Sequence, residues 1–143
     1  MFIRRVFSLV VLILCLAVFG EPQQKQIKPV PAKPTSPASG QEMYTTYCAV
    51  CHGSDGKGVG PAAEALKVPP PDLTTLARNN GGKYPSDHIT NVVQGDLHLP
   101  AHGSREMPVW GCLFWRMSQG HTSEVQLRVS NLNKYIESMQ RNN

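Results

Sequence analysis

The sequence predicts a small all-α domain of three to five short helices joined by long loops. Near the C-terminus Val125, Val129, Leu132, Ile136 and Met139 recur at i, i+4, i+7, i+11 and i+14, the stripe of an amphipathic helix. No stretch alternates apolar and polar residues over the length of a strand. Between Gly53 and Gly120 the chain is poor in large aliphatic side chains and punctuated by glycine and proline. Loops of that length are uncommon in a compact domain unless something besides the chain organises them.

From the N-terminus, MFIRRVFSLVVLILCLAVFG (1–20) has the parts of an export signal: Arg4 and Arg5, an apolar run from Val6 to Phe19 broken only by Ser8, and small residues before a cleavage point after Gly20. The run is shorter than the ~20 residues a membrane-spanning helix needs. Removal is favoured over retention as an anchor. Cys15 is read as an apolar residue of this segment. Residues 21–39 form a proline-rich linker, a semi-rigid spacer with almost nothing to build a core. The folded domain is 40–143. Ser39 and Glu42 make a capping box for a first helix with Met43, Tyr44, Tyr47 and Val50 on one face. GSDGKGVGP is loop, and residues 62–67 make a short turn stopped by Pro69, Pro70 and Pro71. Asp72 or Thr74 caps a brief helix ended by Gly81 and Gly82. Pro85, Ser86 and Asp87 start a helix with Ile89, Val92 and Val93 inward, ended by Gly95. Residues 96–120 read as loop. Ser123 and Gln126 form a second capping box before the final helix.

The net charge of +4 belongs to the leader and linker. From Gly40 onward nine Lys/Arg balance nine Asp/Glu. A neutral domain lacks the basic footprint of a nucleic-acid binder.

CAVCHG (48–53) carries the chemistry. Two thiols and an imidazole this close suit a redox disulfide, half of a zinc site, or covalent attachment of haem. A redox C-x-x-C belongs at a helix N-terminus, where the dipole lowers the thiol pKa. Here the predicted helix precedes Cys48. Zinc needs about four ligands, from two paired motifs, and Cys112, His88, His98, His102 and His121 do not repeat at ligand spacing. C-x-x-C-H is the c-type haem signal. Each thiol adds across one vinyl group, the spacing lets one helical turn reach both, and His52 donates a ring nitrogen to the iron. A large apolar cofactor also fills the centre that the loops leave empty, and the export signal agrees with an oxidising compartment.

For the second axial position Met107 is favoured, in GSREMPVWG, where Pro108 stiffens the loop and Trp110 can wall off water. His102 is its rival. Met117 is read as core, His88 and His121 as cap or solvent residues, and His98 is not placed.

With these motifs the domain resembles class I cytochrome c of the bacterial single-haem type. CAVCHG, then GKGVGP, then MPVWG and a closing amphipathic helix carry the likeness across residues 40–143. The resemblance implies that Gly40 and Tyr44 of the first helix cross the last helix near Tyr135. It also implies that the Pro61 carbonyl accepts the other N–H of His52. Cys112 has no counterpart and is read as a small buried hydrophobe, with an intermolecular disulfide as the alternative. The resemblance points to one covalent haem c with iron held by His52 and Met107. The expected function is one-electron transfer, not catalysis, between redox proteins of an electron-transport chain, in the periplasm or on the outer face of the cytoplasmic membrane, with an N-terminal tether if the leader stays. A dedicated haem subunit of a dehydrogenase or oxidase, and a five-coordinate gas- or peroxide-binding protein, are the alternatives.

Overall fold

A computed structural model describes residues 31–95 and 110–141. The chain divides into two compact units, Met1–Ala32 and Lys33–Asn143. All elements below belong to the second. Among the described residues there are helices and no strand, as the sequence predicts, and no helix is long and apolar enough to cross a membrane.

Helix α1 (Gly40–Met43) runs without a break through a π-helical segment (Tyr44–Cys48) into α2 (Ala49–His52). Ser39 caps it, its Oγ accepting from the Glu42 N–H at 3.1 Å. The second half of the predicted box goes elsewhere, because the Glu42 carboxylate accepts from the Ser36 N–H at 3.1 Å. The π segment corrects the predicted face. Met43, Tyr44 and Tyr47 are buried, but Val50 is 48% exposed. A π turn adds one residue to the helix, so every position after it falls about 100° behind α-helical phase. The inward place due to Val50 passes to Cys51, and Cys48 becomes buried.

Helix α6 (Thr122–Ser138) closes the fold. It starts just after His121, so Ser123 lies inside the helix and the predicted second capping box does not form. Val129, Leu132 and Ile136 are buried as expected, with Val125 and Met139 half-buried. It crosses α1 at Gly40. A Cβ there would collide with the Asn131 carbonyl and lie 2.9 Å from Tyr135 Cβ. The Tyr44 and Tyr135 rings meet beside the crossing, centroids 5.4 Å apart. Both contacts were implied by the cytochrome resemblance.

Between these ends, a 3₁₀ turn (Leu73–Thr75) leads into α3 (Leu76–Asn79), capped by Asp72, which accepts from the Thr74 N–H at 2.8 Å. Slight burial works to raise the Asp72 pKa, but the hydrogen bonds from Thr74 outweigh it and hold it below its ordinary value. Helix α4 (Ser86–Gln94) ends at left-handed Gly95, with Ile89 and Val93 buried. It is pinned to α6 by Asn133, whose amide donates to the Ser86 carbonyl at 2.9 Å and Thr90 Oγ1 at 2.8 Å. Asn133 Oδ1 accepts from the Tyr84 hydroxyl at 2.6 Å. Burial, with the Glu137 charge adding, pushes the Tyr84 pKa up, so the phenol stays a donor. Asn133→Ala removes these partly buried hydrogen bonds together and is expected to lower stability by about 2 kcal/mol, read as a fall in denaturant midpoint at unchanged slope.

One element was not anticipated. Helix α5 (Trp110–Met117) occupies part of the stretch read as loop. Trp110 and Phe114, one turn apart, are its buried side chains. Gly111 lets it approach α4, since a Cβ there would lie 2.5 Å from the Gln94 carbonyl oxygen. Cys112 is exposed on this helix rather than buried, because its neighbours Trp110 and Phe114 take the inward positions.

Candidate haem site

The turn after the motif is built to hold His52 still. The C-terminal carbonyls of a helix have no partner within it. Here the returning loop supplies donors in order: the Ala62 N–H to Val50 O at 2.8 Å, Gly60 to Cys51 O at 3.0 Å, and Gly58 to His52 O at 2.8 Å. Gly60 is required, since a Cβ would lie 2.5 to 2.7 Å from the backbone of residues 49 to 51. From the other side the buried Tyr44 hydroxyl donates to the Gly53 carbonyl at 2.7 Å. GKGVGP is therefore the C-terminal cap of the helix that carries the two thiols.

Cys48 is buried, Cys51 half-buried and His52 8% exposed. Burial, with Cys51 adding, pushes the Cys48 thiol up to about 12, so it is protonated at neutral pH. His52 Nδ1 lies 3.3 Å from the carbonyl of Pro71. This corrects the expectation for Pro61. Pro61 is exposed, because its loop spends its backbone groups on capping α2. The chain passes His52 on its later return, through the three prolines. A backbone carbonyl at Nδ1 fixes the tautomer and leaves Nε2 as the nitrogen suited to a metal.

All three motif residues line one cavity of about 230 Å³. The rest of the lining is mainly apolar: Ile89, Val92 and Val93 of α4, Pro69, Pro70 and Pro71, and Leu132 and Ile136 of α6. Tyr47 and Trp110 line it as well, their rings stacked at 5.1 Å and 28°. Two thiols and an imidazole at the edge of an apolar slot fit haem: the apolar walls would hold the ring, the thiols the vinyl groups and the imidazole the iron. Among the described residues no three His, Cys, Asp or Glu side chains are grouped as a zinc site requires.

Met107, His98 and His102 lie outside the described residues. Met117 is half-buried and does not line the cavity; its sulfur lies 3.5 Å from the Tyr47 hydroxyl. His88 is exposed at the cavity rim. His121 Nδ1 lies 2.8 Å from the Ser118 carbonyl, ahead of α6.

The family model for cytochrome c matches residues 37–111, a span that contains the thiols, the imidazole and most of the cavity wall. The chain belongs to the cytochrome c family. Neither the curated proteins nor the solved structures compared with it give a significant match. As a cytochrome c it binds covalent haem c, with Cys48, Cys51 and His52 fitting the attachment motif, and its function is haem-based electron transfer. The bound haem supplies an iron that alternates between ferrous and ferric states. The chain's own part is to keep water from that iron with apolar walls and to prevent His52 from moving when its charge changes, through the capped turn and the Pro71 carbonyl.

Proposed function

We propose that this cytochrome is a periplasmic one-electron carrier. Cys48 and Cys51 would hold the haem, each adding its S–H across one vinyl group, and His52 and Met107 would hold the iron. The observation that carries the reading is the convergence of Cys48, Cys51 and His52 on one apolar cavity, with the imidazole's Nδ1 at a backbone carbonyl. A methionine sulfur as second ligand favours the ferrous state and raises the potential. With both axial positions filled, substrate has no open site, which supports a carrier rather than an enzyme.

Residues 1–20 export the chain, and residues before the domain serve as a spacer that becomes a tether if the leader is retained. The electron partners are redox proteins of a respiratory chain. A domain with balanced charge is steered only modestly over distance, and contact is brief, over less than about 1,200 Å².

The test is an optical spectrum of purified ferric protein beside Met107→Ala. The wild type shows the weak absorption at the red end that sulfur–iron ligation produces, and the variant loses it. Persistence in the variant moves the ligand to a histidine or to Met117. Ready binding of carbon monoxide by the reduced wild type contradicts a filled sixth position.

A further inference from the structure

Residues 33–37 are part of the domain, and they reach the wall of the haem cavity through one chain of buried hydrogen bonds. Arg128, on α6, is 4% exposed. Its Nη1 donates to the Thr35 carbonyl at 2.9 Å and to Thr35 Oγ1 at 3.3 Å. Its Nη2 pairs with Glu124 at 2.9 Å, and its Nε donates to Ser118 Oγ at 3.3 Å. Thr35, itself 7% exposed, places Oγ1 3.0 Å from the Tyr47 hydroxyl. That hydroxyl donates in turn to the Lys33 carbonyl. Either hydroxyl can donate in the Thr35–Tyr47 bond; with the phenol proton on the Lys33 carbonyl, the donors run from guanidinium to threonine to phenol to carbonyl, and each bond polarises the next. Asn131 secures the same segment by donating to the Pro37 carbonyl at 3.0 Å.

Electron transfer through the proposed haem attachment does not by itself call for a buried guanidinium. Burying a charge is costly unless it is paired and hydrogen-bonded, and the partners of Arg128 include the strap. What lies at the far end is Tyr47, adjacent to Cys48, lining the cavity and stacked on Trp110.

We propose that residues 33–37 are a strap, held by Arg128, whose Thr35 hydroxyl positions Tyr47 and thereby seals the Tyr47–Trp110 end of the haem cavity against water. Tyr47 and Thr35 are positioning residues for electron transfer. An apolar, dry wall disfavours the more highly charged ferric state, so a loosened strap lowers the potential. This rests on haem being attached at Cys48 and Cys51.

The test uses the haem-bearing protein with Thr35→Val, Tyr47→Phe, the pair together, and Thr35→Ser. Amide hydrogen exchange at residues 33–37 and the midpoint potential by optical titration are read on each. Thr35→Val speeds exchange in the strap by about tenfold, the effect of losing one buried hydrogen bond, and lowers the potential. Tyr47→Phe lowers it in the same direction. The double variant lowers it no further than the larger single change, because both cut one path. Thr35→Ser, which keeps the hydroxyl, behaves as wild type. Faster exchange with an unmoved potential overturns the proposal and leaves the strap a structural anchor only. Unchanged exchange overturns the hydrogen-bond chain itself. Absence of haem from the wild-type protein is a separate result, and it overturns the attachment reading instead.

Discussion

Cys48→Ser combined with Cys51→Ser yields a chain that releases haem on denaturation and that, without haem, loses cooperative folding. The second half of this result comes from the core. The buried side chains of α1 and its π-helical continuation, α5 and α6 pack on one another, but Ile89, Val92, Val93, Leu132 and Ile136 also line the cavity. A domain of about a hundred residues has little stability to spare, and side chains that line a cavity lose packing contacts when no ligand fills it. Circular dichroism and thermal melts of the variant check the expectation. A sharp melt in a colourless variant would mean that the polypeptide closes its own core.

Gly40→Val is expected to lower stability by about 3 kcal/mol, the upper end for forcing atoms into packed structure. The obstacle is backbone. An added Cβ meets the Asn131 carbonyl, and a branched side chain also meets Tyr135, so no rotamer change relieves it. The helices must part, and the Tyr44–Tyr135 contact opens with them. Denaturant unfolding of the haem-bearing variant measures the loss. A change below about 0.5 kcal/mol, the range of an ordinary surface substitution, would show that α1 and α6 do not approach closely at Gly40.

The sequence reveals most where a local rule acts alone. Asp72, Gly82 and Gly95 bound α3 and α4 much as their residue types dictate, and the spacing of Val129, Leu132 and Ile136 marks α6. The π segment was not legible, because no residue type demands it. It is set by where Cys48 and Cys51 must face and by the loop amides that cap α2. Helix α5 was masked by Pro108, Gly111 and Gly120, read as loop punctuation. The i, i+4, i+7 series of Trp110, Phe114 and Met117 was the signal that could have found it. Arg128 and Asn133 interrupt the apolar face of α6, and their burial follows from partners up to 93 residues away in sequence, which periodicity cannot see. At the site, the motif fixed the thiols and the imidazole. It could not say which proline carbonyl would face His52. Both loops carry prolines, and only the three-dimensional path of the chain selects Pro71 over Pro61.

The most direct measurement is the intact mass of the exported protein under denaturing conditions, taken with its reduced absorption spectrum. Covalent attachment predicts a chain heavier by one haem, with the added mass on the peptide that contains Cys48 and Cys51, and a spectrum typical of c-type haem. A folded, colourless protein with both thiols at their unmodified mass would contradict it.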